Sequence, residues 1–250
     1  MIDPQALSTY CDTLLETSNF ADYAPNGLQV EGERPVRLLV SGVTACAALI
    51  EAARAAGADA LLVHHGWFWR GESPCLVGTR GRRARALLAS GASLLAYHLP
   101  LDAHPLYGNN ATLGQRLGIS ETQPSAIGNG LVWTGRLDQP QAAAHWAALV
   151  SERLGRRVTL VEAGRTLIER VAWCTGGGQG HLEAAADLGV DAFLSGEISE
   201  QTTHLARELG IAYLAAGHHA TERYGVQALG GHLAERFGLQ HRFIEIDNPA

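Results

Sequence analysis

The chain has 250 residues, 46% of them hydrophobic and 18% charged, with a formal net charge of −6. That composition suits a globular protein that buries a core without disulfide staples, at a length for one large domain or two small ones. It argues against a general nucleic-acid surface, which needs a basic patch. No apolar run reaches bilayer-spanning length and the N-terminus lacks a basic-then-apolar order, so the expected compartment is the cytoplasm, without membrane contact.

In chain order, short apolar runs alternate with Ala-rich helices, the pattern of an α/β protein. Residues 37–40 read as a strand, 46–56 as a helix stopped by Gly57, and 60–63 as an apolar strand running into His64-His65. A helix over 84–89 stops at Gly91, and a strand over 93–97 arrives at His98. Arg80, Arg82, Arg83 and Arg85 lie at the start of a helix running toward Leu88 and read as a solvated face in preference to a phosphate contact. Residues 121–130 are polar and turn-rich and read as a crossing between halves.

The same grammar then returns. Residues 170–174 read as a strand opening into a Gly-rich loop, 181–188 as a helix stopped by Gly189, and 191–194 as a strand. A helix over 201–209 stops at Gly210, and a strand over 211–215 arrives at His218. Ala55-Ala56-Gly57-Ala58-Asp59-Ala60-Leu61-Leu62 matches Asp187-Leu188-Gly189-Val190-Asp191-Ala192-Phe193-Leu194 in its Gly-x-Asp-Ala register. Two related α/β domains by internal duplication are therefore expected. Residues 1–125 with 226–250 would form the first and 126–225 the second. The last helix and strand, over 227–237 and 240–246, would return to the first sheet.

Histidine is the unusual residue, with eleven in the chain. Ligands of open α/β sheets gather beyond the carboxyl ends of strands, where His64, His65, His98 and His218 fall. Adjacent strand residues point to opposite faces, so His64 and His65 would each reach a different metal from a strand terminus. Asp102 adds a hard oxygen after the stiff Pro100, and His218 and Glu222, four apart, share a face if a helix begins there. His98 either binds metal or orients a ligand, and His219 either faces away or meets substrate. His104, His145, His181, His204, His232 and His241 read as structural. Nitrogen and oxygen donors without sulfur suit zinc, iron, manganese or nickel. Cys11, Cys46, Cys75 and Cys174 form no Cys-x-x-Cys pair and read as buried free thiols. The 176–180 loop is not a P-loop, since no Lys-Ser/Thr follows. A tight turn is the simpler reading, and backbone N–H groups offered to an anion the other.

Taken together, Asp22 through Gly32, His64-His65-Gly66, His98-Leu99-Pro100-Leu101-Asp102, Cys174-Thr175-Gly176-Gly177-Gly178, Ser195 through Gln201 and Gly217 through Glu222 resemble the GTP cyclohydrolase I type 2, or NIF-three-like, family in its short bacterial form. The resemblance covers nearly the whole chain, in order. It implies two similar α/β domains with a two-metal site in the cleft between them and assembly into a ring-shaped homohexamer. By matching position, the metal ligands would be His64, His65, His98, Asp102, His218 and Glu222, with Asp102 and Glu222 as the catalytic carboxylates. Two divalent ions would leave a positive centre in an acidic chain and favour a small anionic substrate such as a nucleotide. Hydrolysis is then the expected chemistry. The alternative is a metal-binding scaffold or regulatory partner without turnover.

Overall fold

The computed structural model describes residues 1–164 and 167–250. They divide into two compact units, the first comprising Met1–Leu101 with Gly225–Asp247 and the second Asp102–Tyr224 with Asn248–Ala250.

The first unit opens with α1 (Pro4–Leu14), started by the Asp3 side chain accepting from two backbone N–H groups and by Pro4 at the first helical position. Strand β1 (Gly27–Val30) follows, then β2 (Leu38–Thr44), α2 (Ala47–Ala55), β3 (Ala60–His65), α3 (Gly78–Ser90) and β4 (Ser93–Ala96). The sheet order is β1-β4-β3-β2-β11, where β11 is Gln240–Phe243. Strands β4, β3, β2 and β11 run parallel, and β1 is antiparallel to β4. Parallel strands covered on both faces read as continuous apolar runs, as Leu61-Leu62-Val63 does. One face packs Val40, Leu61, Val63 and Leu94 against Leu49, Ile50 and Leu87 of the helices. As expected, the C-terminal strand returns to the first sheet, beside β2.

A short helix α4 (Leu99–Ala103) leads into the second unit. There α5 (Asn109–Arg116), β5 (Ser120–Pro124), β6 (Trp133–Gln141), α6 (Ala143–Leu154) and β7 (Thr159–Val161) precede β8 (Ile168–Cys174), α7 (Leu182–Ala186), β9 (Ala192–Ser195), α8 (Glu200–Leu209) and β10 (Ala212–Ala215). Helix α9 (His218–Phe237) begins in this unit. The sheet order is β5-β6-β8-β9-β10-β7. Alternate side chains go to opposite cores, Leu194 and Leu214 with Trp146 and Trp173 on one side, Phe193 and Tyr213 with Leu182 and Ala206 on the other.

Two differences from the expected layout stand out. Residues 102–125 pack with the second unit, because Leu113, Leu117 and Ile119 join its Trp146–Trp173 core. The stretch expected as a crossing loop contains β5, an edge strand whose polar residues are mostly exposed and whose pairing with β6 is irregular between Ser120 and Gln123.

Four strands keep one order and one set of directions in both units: β1-β4-β3-β2 and β7-β10-β9-β8. The repeated Gly-x-Asp-Ala has a structural use. Asp59 Oδ2 accepts from the backbone N–H groups of Arg37 and Leu38, each at 3.0 Å. Asp191 Oδ2 accepts likewise from Glu169 and Arg170, at 3.0 and 2.9 Å. In each unit the aspartate entering the second parallel strand ties down the start of the first.

Candidate metal centre

In the first unit, β3 ends on His64 and His65 while the chain after β4 delivers His98. Donor atoms of these three imidazoles lie within 4.8 Å of one another, close enough to hold a metal ion. The His64 and His65 ring centroids are 4.5 Å apart, and those of His64 and His98 5.1 Å. Each ring is fixed through Nδ1. His64 Nδ1 meets Tyr97 O at 2.9 Å, His65 Nδ1 meets Thr44 Oγ1 at 3.3 Å, and His98 Nδ1 meets Asp22 Oδ1 at 2.9 Å. Partners of this kind orient metal-ligating imidazoles and raise their basicity.

Asp22 has a place in this site that its position in the sequence does not announce. Its carboxylate side chain is only 4% exposed. Besides His98 it accepts from Leu99 N at 3.0 Å and Asn26 Nδ2 at 3.0 Å, while Asn26 Oδ1 accepts from His98 N at 2.7 Å. Burial alone would raise its pKa; the hydrogen bonds from His98, Asn26 and Leu99 and the nearby imidazole outweigh it and hold the carboxyl well below the usual carboxylate range. Gly66, next to the histidine pair, is required by close approach, since a Cβ there would overlap Gln29 Oε1 and Ala96 Cβ.

In the second unit, α4 holds Asp102 and α9, entered from β10, holds His218 and Glu222, all beside the 175–178 loop that follows β8. Asp102 Oδ1 accepts from Asn109 Nδ2 at 2.8 Å and Thr175 Oγ1 at 3.1 Å, and the residue is buried. His218 and Glu222, one turn apart on α9, meet through Nε2 and Oε2 at 3.1 Å. The His218 Nδ1 bonds Glu197 Oε1 at 2.7 Å, and Glu197 in turn accepts from Gln179 at 3.1 Å. Burial would lower the His218 pKa, but Glu222 and Glu197 together raise it to about 9. Glu197, Asn109 and Thr175 are further residues to which sequence reasoning assigns no role.

The Gly-rich loop lies against the carboxylate and imidazole of α9. Gly176 sits at φ +62°, and a Cβ there would overlap Glu222 Oε1 and stand 3.1 Å from His218 Nε2. The loop can therefore lie against the donors only as glycine. Its position is set by Thr221 Oγ1, which accepts from Gly176 N at 3.0 Å. His219 is buried, its backbone N–H donating to Ala250 O. His104 caps its own turn, His232 bonds Tyr10 and His241 bonds Ser41, all structural uses. All four cysteines are free. Cys11 and Cys174 are buried as expected, but Cys75 is exposed and Cys46 half-buried. No described helix is long and apolar enough to cross a membrane.

Known proteins bear on this arrangement. The Duf34/NIF3 (NGG1p interacting factor 3) family matches residues 3–249. A protein of Allochromatium vinosum named "GTP cyclohydrolase 1 type 2 homolog" is 68% identical, covering 100% of this chain and 98% of its own length. Relatives of the same name from Pseudomonas aeruginosa and Escherichia coli K12 are 54% and 50% identical, over 98% and 94% of this chain and 99% and 95% of theirs. Among solved structures, "protein ybgI, unknown function" superposes with a TM-score of 0.96 at 47% identity, and a Thermus thermophilus protein with 0.90 at 36%, each over 100% of both chains. With a match along nearly its full length and relatives of this identity, the chain belongs to the Duf34/NIF3 family.

Proposed function

We propose that the protein is a metal-dependent hydrolase acting on a small anionic substrate, with nucleotides the first class to test. The observation that carries this reading is the cluster of His64, His65 and His98, whose donors converge while each Nδ1 is held by a fixed partner. Three imidazoles oriented in this way suit a divalent transition metal. Asp102, His218 and Glu222 supply oxygen and nitrogen of the same hard-to-borderline character. Six ligands exceed what one tetrahedral ion uses, so the proposed centre is dinuclear, with zinc, iron, manganese or nickel as the metals.

Bound ions of this kind activate water as a nucleophile near neutral pH and polarise the bond attacked. The chain's own residues orient and balance that chemistry. Asp22 and Glu197 hold the His98 and His218 rings, Asn109 and Thr175 hold the Asp102 carboxylate, and Gly176 lets the backbone lie against Glu222. Asp102 and Glu222 are the proposed catalytic carboxylates. In a cyclohydrolase of the kind the relatives are named for, water would add to the imidazole ring of guanine and formate would leave. A cytoplasmic location and a ring-shaped homohexamer complete the proposal.

The test is metal analysis coupled to turnover. Metal-replete protein should carry close to two ions per chain, with His65→Ala and Glu222→Ala each lowering that content while circular dichroism stays unchanged. Activity on guanine nucleotides, other nucleotides or phosphodiesters should vanish on chelation and return with metal. Full metal with no turnover on any of these would replace the enzyme by a metal-binding scaffold; one ion or none would defeat the dinuclear centre.

A further inference from the structure

The chain between β3 and α3 folds into a cavity of about 260 Å³ lined by Trp67, Phe68, Trp69 and Leu76 with Glu72, Arg80 and Arg83. The loop is pinned. Gln29 accepts from Trp67 N at 2.7 Å and donates to Trp67 O at 3.2 Å, Trp67 Nε1 donates to Ala45 O, and Trp69 Nε1 donates to Gly66 O. Phe68 is held at φ +67° and is 44% exposed. A bulky residue occupies that region only under constraint, and such constraint gathers at binding sites.

The charges are not balanced within the cavity. Arg80 is paired with Glu72 and also donates to Ser73 O. Arg83 is the surplus cation: its Nε is buried and has no hydrogen-bond partner among the described residues. Arg82 and Arg85 of the same helix are exposed, so the expected solvated basic face holds for those two and fails for the half-buried Arg80 and Arg83. Glu72 is the one carboxylate of the lining and faces both Arg80 and Arg83, so the half-buried Arg83 guanidinium can take a further anion. The cavity also adjoins the imidazoles of its own unit, with the Trp69 ring 5.0 Å from that of His98 and 5.8 Å from that of His65.

We propose that this cavity binds the flat ring of a small organic anion among Phe68 and Trp69, with the anionic group paired to Arg83. As an account of how the substrate is chosen, this rests on the hydrolase reading above; as a binding site it does not. The size admits one ring system, and the polar remainder of the ligand would lie along Trp69 toward the histidines.

The experiment titrates chelator-stripped, full-length protein with adenosine and guanosine 5′-monophosphates, adenosine, and ribose 5-phosphate. Calorimetry and quenching of tryptophan emission are the readouts. At least one nucleotide should bind without metal, with adenosine and ribose 5-phosphate at least tenfold weaker. Arg83→Gln should bring the nucleotide down to the level of adenosine and leave adenosine itself unchanged, Arg83→Lys should recover part of the loss, and Arg82→Gln should do nothing. Absence of binding by both nucleotides, or binding indifferent to Arg83→Gln in a variant with native circular dichroism, overturns the proposal. Metal content and turnover are measured on the same preparations. Nucleotide binding without metal-dependent turnover would defeat the hydrolase and leave the cavity standing, and turnover indifferent to Arg83→Gln would overturn the cavity's part in choosing the substrate.

Discussion

Asp22 illustrates how a residue remote in sequence decides what a histidine does. It stands 76 positions from His98 and fixes that ring through Nδ1, which leaves Nε2 for the proposed metal. Asp22→Asn keeps the shape and removes the charge. Metal affinity should fall about 10- to 100-fold, the usual cost of losing such a partner, with unchanged circular dichroism; undiminished affinity in competition with a chelator would contradict this role. His218 gives a pH dependence. With its pKa raised to about 9 in the metal-free protein, it carries a proton at neutral pH that metal must displace. Apparent affinity should therefore rise by up to about tenfold per unit as pH climbs from about 7 toward 9, and Glu197→Gln should flatten that slope. The sign for stability is opposite: the raised pKa stabilises the metal-free fold fully below the ordinary histidine value, and that contribution is lost as pH rises through about 9. Of the proposed ligands, His64, His65, His98 and His218 could be picked out in the sequence because they fall at or just beyond the ends of apolar strands, while Asp102 and Glu222 lie in the helices that follow. Asp22, Glu197, Asn109 and Thr175 could not be picked out, because only the folded chain brings them to the histidines and Asp102.

Among the elements, legibility followed burial. Strands β2, β3, β4, β8, β9 and β10 are parallel to one another within their sheets and covered on both faces, so they appear as apolar runs bounded by glycine. Edge strands β1, β5 and β7 carry mixed or polar residues and lack such a signal. Helix α1 carries a start signal in Asp3-Pro4 that the alternation of apolar runs alone passes over. The aspartates of the repeated register make an element-scale prediction. Asp59→Ala and Asp191→Ala each strip two backbone N–H groups of their acceptor, and each should cost about 1–3 kcal/mol in urea unfolding. If both positions do the same work, the two losses should be similar in size; a negligible effect at either would argue that the shared register is coincidental. We propose on this ground that the two four-strand arrays descend from one duplicated unit.

For the whole molecule, the proposed homohexamer is the property furthest from anything a single chain displays. Light scattering coupled to gel filtration should return six times the chain mass, and a monomer across the micromolar range would remove that proposal. Exposed apolar residues such as Leu88 and Leu106 are candidates for what assembly covers. Their polar replacement should shift the assembly toward smaller species without loss of helix content.

The pairing of β11 with β2 joins segments from opposite ends of the chain, with Ser41 bonded to His241 at a separation of 200 residues. During synthesis, residues 102–224 leave the ribosome as an almost complete unit while the first sheet still lacks its outer parallel strand. The half made second is thus the half able to fold first. The half made first must wait with β2 as an unpaired edge until residues 240–243 have emerged, which makes that strand the place where a nascent chain is most open to wrong partners.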